Sequence, residues 1–261
     1  MFRTAEISLA GPGVFGFCGR ESGWSRCCGS KEVEGGMTDY AAARENMVES
    51  QLRPNRVTNP QLIQAMGSIP REKFVPSARS AVAYCDESIK LSGMNDETSS
   101  ERHLMAPMTF GRLVQLAGIT ADDLVLDIGC GSGYSTAVLG MMAATVVALE
   151  ESEEMAEDAS TRLSEIGVDN AAVVSGPLAE GFSREGPYDA IMIQGAVEQV
   201  PEALLGQLKD GGRLVTIVSD GSIGRARLYR KSGESVSEWN DFDAAAEFIP
   251  GFEKPRGEFR F

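Results

Sequence analysis

Leu124-Val125-Leu126-Asp127-Ile128-Gly129-Cys130-Gly131-Ser132-Gly133-Tyr134 is the stretch that decides the fold of this 261-residue chain. An apolar run ends at an acidic residue, glycines follow at alternate positions, and helix-forming residues begin at Tyr134. Glycine adopts positive φ without a Cβ clash, so the chain can turn sharply there and a ligand can approach its backbone. Further apolar runs follow at 146–149, 171–174, 190–193 and 214–218. Each is continuous rather than alternating, the pattern of strands covered on both faces of a parallel sheet. Helical segments lie between them. In 152–166, Ser152 can cap, acidic residues fill the first turn, Met155, Ala159, Leu163 and Ile166 line one side, and Gly167 ends the helix. Strands alternating with helices predict an α/β fold with a doubly wound, mostly parallel sheet of the Rossmann-like type.

Upstream, the sequence divides in two. Residues 1–36 are rich in Gly and Ser and are broken at Gly11-Pro12-Gly13, so they lack the unbroken apolar centre of a signal peptide. They are read as a disordered extension, with Met37 a candidate start of translation. Residues 37–120 are expected to form an N-terminal helical segment on the substrate side of a 121–261 core. Residues 40–52 carry helix formers. Asn59 can cap a helix with Pro60 at its first position and Leu62, Ile63 and Met66 on one face. Pro70 and Pro76 bracket 71–75, read as extended or turn, and 86–101 reads as a polar loop. A helix then starts near Pro107, with Phe110, Leu113, Val114 and Ala117 on one side. Residues 227–239 and 246–261 are expected to be terminal strands and connections.

Composition narrows the function classes. The net charge of −14 repels phosphate backbones, so no nucleic-acid partner is expected. No apolar run reaches the ~18 residues of a membrane span, so no membrane partner is expected either. With one histidine, and five cysteines of which Cys27 and Cys28 are adjacent, no metal site is expected. The cysteines make no convincing disulfide framework, which points to a reducing, cytoplasmic setting and, we expect, a monomer.

The glycine loop carries the chemistry. Ligands of open α/β sheets bind at the carboxyl ends of strands near the switch point, where Gly129, Gly131, Gly133 and Asp127 stand. Glu150 ends the next apolar run about twenty residues further on, where a carboxylate can accept hydrogen bonds from ribose hydroxyls. Gly211-Gly212-Arg213-Leu214 opens a later strand. In a dinucleotide fingerprint the third glycine comes five residues after the first; here that position is Tyr134. The pattern therefore favours S-adenosyl-L-methionine, with a nicotinamide-dependent dehydrogenase as the alternative. Cys130 reads as a small buried side chain, and 151–154 as a solvated helix start.

The motifs extend well beyond the loop. Met47-Val48-Glu49-Ser50-Gln51-Leu52-Arg53-Pro54, Ile69-Pro70-Arg71-Glu72-Lys73-Phe74-Val75-Pro76, Ala83-Tyr84, Tyr188-Asp189-Ala190-Ile191 and Val200-Pro201-Glu202-Ala203 through Val215 resemble the protein-L-isoaspartate O-methyltransferase family from about Met47 onward. The resemblance implies a repair enzyme that methylates isoaspartyl carboxylates in damaged proteins or peptides. A carboxylate with a pKa near ~4 is ionised at neutral pH and needs no general base. The enzyme then works mainly by proximity and orientation.

The resemblance also assigns roles. Asp127, Gly129, Gly131, Gly133, Glu150, Pro177, Leu178 and Gln194 are implied cofactor contacts, and Met105 and Ala106 are implied at the acceptor. His103, the only histidine, lies beside them and could donate to a substrate carboxylate, with a surface or packing role as the alternative. Three departures mark this chain. Met105 stands where the family has a serine, and a thioether cannot donate a hydrogen bond. Pro177 stands where the family has a carboxylate near the adenine. The polar stretch 95–101 replaces a Gly-Gln-Thr. Thr109, Ser99 or Ser100 are candidate substitutes for the missing hydroxyl. A relative with another acceptor and a non-catalytic cofactor-binding protein are the alternatives. Gln194-Gly195-Ala196-Val197 lacks the Pro-Pro-aromatic segment of many base methyltransferases.

Overall fold

A computed structural model describes residues 39–91, 101–219 and 223–254. The expectations for 1–36, Met37, Ser99, Ser100 and 255–261 fall outside the described residues.

The central sheet begins with the deciding stretch. Strand β3 (Leu124–Ile128) runs into the glycine loop and helix α4 (Tyr134–Gly140). Strand β4 (Thr145–Glu150), helix α5 (Glu153–Glu165) and strand β5 (Ala171–Ser175) follow, then β6 (Tyr188–Val197), α6 (Glu202–Gly206) and β7 (Leu208–Val218). Two antiparallel strands, β8 (Arg225–Ser232) and β9 (Ser235–Asp243), complete the sheet. Its order is β5-β4-β3-β6-β7-β8-β9, with the first five strands parallel. The chain winds outward from β3 to β5 and then returns to the other side of β3 as β6. That reversal puts a crevice between the carboxyl ends of β3 and β6, where the glycine loop emerges.

Both faces of the sheet are covered, which is why its strands read as unbroken apolar runs. Val125 and Val146 belong to a core shared with α4 and with the N-terminal helices. Leu126, Ile128, Val147 and Leu149 face the other way, against Leu178, Leu204, Ile249 and Phe252. Neighbouring side chains on a strand point to opposite faces, so each run must be apolar at every position. Helix α5 starts as its sequence requires, with the Ser152 side chain accepting from Met155 N, and ends where Gly167 takes φ +75°.

The N-terminal elements are α1 (Tyr40–Met47), α2 (Pro60–Ser68) and α3 (Pro107–Ala117), with a short hairpin of β1 (Ile89–Lys90) and β2 (His103–Leu104) before α3. Asn59 caps α2 through Gln61 N and Leu62 N, as its position before Pro60 predicts. Met47, Leu52, Leu62, Phe74, Phe110 and Leu113 join the same cluster as the sheet residues, so one hydrophobic core crosses the expected division at 120/121.

Residues 71–74 form a turn of 3-10 helix, the turn alternative of the reading for that stretch. Several boundaries differ from expectation. The stretch read as loop at 86–101 contributes β1, because Lys90 pairs with His103 and Ile89 with Leu104. Strand β6 continues to Val197 and β7 starts at Leu208, both longer than their apolar runs. Irregular register between β6 and β7 accommodates the extra residues. Cys85 is disulfide-bonded, a pairing that the reading of the cysteines as no convincing framework in a reducing setting did not expect; Cys130 is a free, buried thiol.

Candidate active site

Asp127 organises the loop. It is fully buried at the end of β3 and accepts hydrogen bonds from Ser135 Oγ (2.7 Å), Thr136 Oγ1 (2.7 Å) and Gln194 Nε2 (2.6 Å). Burial raises its pKa, and the three donors work against that rise. Asp127 thereby ties α4 and β6 to β3. The residue read as a cofactor contact therefore spends its acceptors on shaping the loop, and Gln194 is its partner.

Gly129, Gly131 and Gly133 take φ of +74°, +56° and +91°. Only glycine tolerates this run cheaply. The loop amides are satisfied internally: Gly129 N and Cys130 N donate to Leu149 O, Gly131 N to Glu150 Oε2, and Gly133 N to Cys130 O. A dinucleotide loop turns such groups outward to a pyrophosphate. Here those four amides are consumed, and the buried carboxylates Asp127 and Glu150 stand beside them. That environment suits a neutral or cationic ligand, not a phosphate. Cys130 has its thiol pushed well above the usual value by burial, as a packing residue should.

Glu150 closes β4, fully buried, facing the loop. Its Oε1 accepts from Arg102 Nε at 3.0 Å and from Glu151 N at 2.9 Å. A cation thus already stands at the carboxylate expected to hold a ribose. Gly176 N bonds to Glu150 O, which brings the turn after β5 to the same edge. There Leu178 is buried against the loop side of the sheet while Pro177 is exposed. The resemblance's cofactor residues therefore assemble along one edge, from Gly129 through Glu150 to Leu178.

The acceptor segment meets this edge from the N-terminal side. Met105 is 6% exposed and shares a cavity with His103, Gly129, Cys130 and Gln194. His103, Ala106 and Met105 also line an adjoining cavity with Arg102 and Gln194. Thr109 is buried and lines a groove that adjoins the second cavity at Ala106 but is not among the residues lining either cavity.

Arg71 holds this arrangement together, and nothing in its sequence position announces that. It is fully buried; Nε donates to Ala83 O (2.7 Å) and Nη2 to Met105 O (2.7 Å). Its guanidinium lies 4.8 Å from the Tyr134 ring centroid. Phe74 packs edge-on against the same ring, and Ser132 Oγ donates to Phe74 O (2.6 Å). The 71–76 motif thus buttresses the glycine loop and fixes the backbone of Met105. Sequence reasoning also missed Arg102, whose only signal is a lone cation beside the His103–Pro107 segment.

Fold, internally satisfied glycine loop and strand-end carboxylate define a Rossmann-like methyltransferase of the S-adenosylmethionine-dependent class. Residues 42–254 match the family model described as protein-L-isoaspartate(D-aspartate) O-methyltransferase, and the chain belongs to that family. A Methanospirillum hungatei protein-L-isoaspartate O-methyltransferase is 38% identical over 215 residues, covering 82% of this chain and 95% of that one. Protein-L-isoaspartate O-methyltransferase 2 of Shewanella sediminis is 39% identical over 67% of this chain and 69% of its own. A solved protein-L-isoaspartate O-methyltransferase superposes with a TM-score of 0.69 at 25% identity, over 80% of this chain and 66% of that one. A Plasmodium falciparum structure described as a beta-aspartate methyltransferase, in complex with S-adenosyl-L-homocysteine, shares the fold (TM-score 0.64, 17% identity, 80% and 96% covered).

Proposed function

We propose that this chain transfers a methyl group from S-adenosylmethionine to the free carboxylate of isoaspartyl residues in damaged proteins and peptides. One observation carries the reading: a single cavity has Gly129 and Cys130 of the loop on one side and His103 and Met105 on the other. Donor and acceptor segments thus face each other across a buried space.

The residues present fit the cofactor. In this reading Glu150 would take the ribose hydroxyls, Leu178 would pack on the adenine, and the positive-φ glycines would admit the methionine portion; the burial of Glu150 and Leu178 and the loop's backbone angles support it. When bound, S-adenosylmethionine supplies a sulfonium methyl group that an ionised carboxylate accepts without a proton leaving it. The protein's own residues therefore position and exclude water. Asp127, Ser135, Thr136 and Gln194 lock the loop, and Arg71 holds the Met105 backbone. Fixing two reactants in this way can contribute several kcal/mol, on the order of the effective-molarity term.

Met105 favours a second reading, in which the cofactor is the same and the acceptor differs. Radiolabelled methyl transfer separates the two. An isoaspartyl peptide should be labelled and its normal aspartyl twin should not. Binding of S-adenosylhomocysteine without any label on the isoaspartyl peptide would defeat the first reading and leave the second. No helix among the described residues is long and apolar enough to cross a membrane. We further propose a monomer working in the cytoplasm; the acidic net charge of −14 supports only the absence of a nucleic-acid partner.

A further inference from the structure

We infer that Arg102 is the residue that binds the acceptor's carboxylate, in place of the hydroxyl that Met105 lacks, and that Glu150 holds it until the cofactor arrives. This rests on the isoaspartyl reading above.

Arg102 is 3% exposed and Glu150 is fully buried, so their contact is a desolvated ion pair. Arg102 spends Nε on Glu150 at 3.0 Å and reaches Glu151 Oε2 with Nη2 at 3.5 Å. Its Nη1 is buried with no partner, and so is His103 Nδ1 on the next residue. An orphaned buried donor is costly, and a guanidinium with an unused N–H edge suits a second carboxylate. Both residues line the cavity that contains Met105, Ala106 and Gln194, and among the described lining residues Arg102 is the only Lys or Arg, beside the carboxylates of Glu101 and Glu247.

The same pair links the two substrates. A ribose diol bridging both oxygens of Glu150 competes for Oε1, which now accepts from Arg102 Nε and Glu151 N. Once Arg102 gives way, its guanidinium keeps only the longer contact to Glu151 Oε2 at 3.5 Å. A buried charge that is poorly paired is unfavourable, so the loaded site favours an added anion. The acceptor brings one as an ionised carboxylate. Met105 cannot serve, because its thioether has no proton to donate and its carbonyl is already held by Arg71. The hairpin fixes where Arg102 acts: Leu91 N donates to Arg102 O at 2.8 Å, anchoring its backbone directly before β2.

The test measures binding, not turnover. A fluorescent isoaspartyl peptide is titrated into the full chain saturated with S-adenosylhomocysteine, and the homocysteine ligand itself is titrated calorimetrically. Arg102→Gln should weaken the peptide at least tenfold, while S-adenosylhomocysteine binds as tightly as before or more tightly. Arg102→Lys keeps the charge but not the planar fork, and should retain part of the peptide affinity. It also guards against a folding defect in the Gln variant, as does a thermal melt of each. Equal peptide binding by wild type and Arg102→Gln would overturn the assignment. So would a variant that loses S-adenosylhomocysteine and keeps the peptide, since Arg102 would then serve the cofactor. A wild type that binds S-adenosylhomocysteine but no isoaspartyl peptide would instead refute the acceptor reading on which this rests.

Discussion

Replacing Arg71 by methionine should cost more than any exposed arginine in this chain, and the structure says how much. Methionine keeps most of the aliphatic stem but deletes the guanidinium. Two hydrogen bonds vanish, to Ala83 O and Met105 O. Charge-assisted bonds of this kind contribute about 1.5–3 kcal/mol each. The contact with the Tyr134 ring at 4.8 Å adds about 1–2 kcal/mol where it is desolvated. Against that gross loss of about 4–8 kcal/mol stands the relief of no longer burying a cation. No carboxylate is bonded to Arg71, and burial pulls its pKa below the ordinary arginine value. Relief of several kcal/mol leaves a net destabilisation of about 3 kcal/mol. Urea denaturation followed by fluorescence would measure it. The acceptor side should suffer beyond stability, because Met105 loses its backbone anchor: KM for an acceptor peptide should rise more than the dissociation constant of S-adenosylhomocysteine. A loss below about 1 kcal/mol with unchanged acceptor kinetics would refute the claim that Arg71 organises this site.

Glu150→Gln should weaken S-adenosylhomocysteine at least tenfold, about 1.4 kcal/mol, by calorimetry; it should also lower stability by about 3 kcal/mol because the buried Arg102 is left with only its 3.5 Å contact to Glu151. Adding Arg102→Met to it should recover part of that stability, and a simple sum of the two single effects would contradict the pairing. Asp189 supplies a pH test. Burial raises its pKa, but the Leu124 N–H and Lys209 outweigh this and the net shift is downward. A depressed carboxylate stabilises the fold above its unfolded pKa near ~3.9 and loses that contribution as pH falls through the lower folded value. Asp189→Asn should therefore cost about 1 kcal/mol at pH 7 and much less near pH 3; an equal loss at both would refute the ionic account. Cys130 should react with a thiol reagent on the order of a hundredfold more slowly in the native protein than in urea, since its thiol is buried and kept protonated.

The fold was largely legible because its signals are local. A parallel strand covered on both faces must be apolar at every position, so 124–126, 146–149 and 190–193 stood out without any tertiary knowledge. Ser152, Asn59 and Gly167 marked helix ends because the backbone groups they satisfy or free lie within a turn of them. The glycine loop was legible for the same reason, since positive φ is a property of single residues. What failed was also local in origin. The hairpin of β1 and β2 pairs residues on either side of a polar stretch, and two-residue strands have no periodicity to read. The later start of β7 was expected from Gly211 because glycines punctuate strands, yet here they lie within one that is irregularly paired.

By itself the sequence determined the α/β order of elements, the glycine turn after β3, the carboxylate at the end of β4 and, through its motifs, the family. It also placed Met105 where a serine is expected. Tertiary structure alone decided what those groups do to one another. Asp127 proves to be the knot joining β3, α4 and β6; Arg71 spans from the 71–76 motif to Met105; Arg102 neutralises Glu150 from 48 residues away in the chain. The physical reason is the range of the forces. Propensity, capping and positive φ act within a few residues and leave a pattern in the sequence. A buried charge is stabilised by whichever partner the folded chain brings to it, and no spacing records that partner in advance.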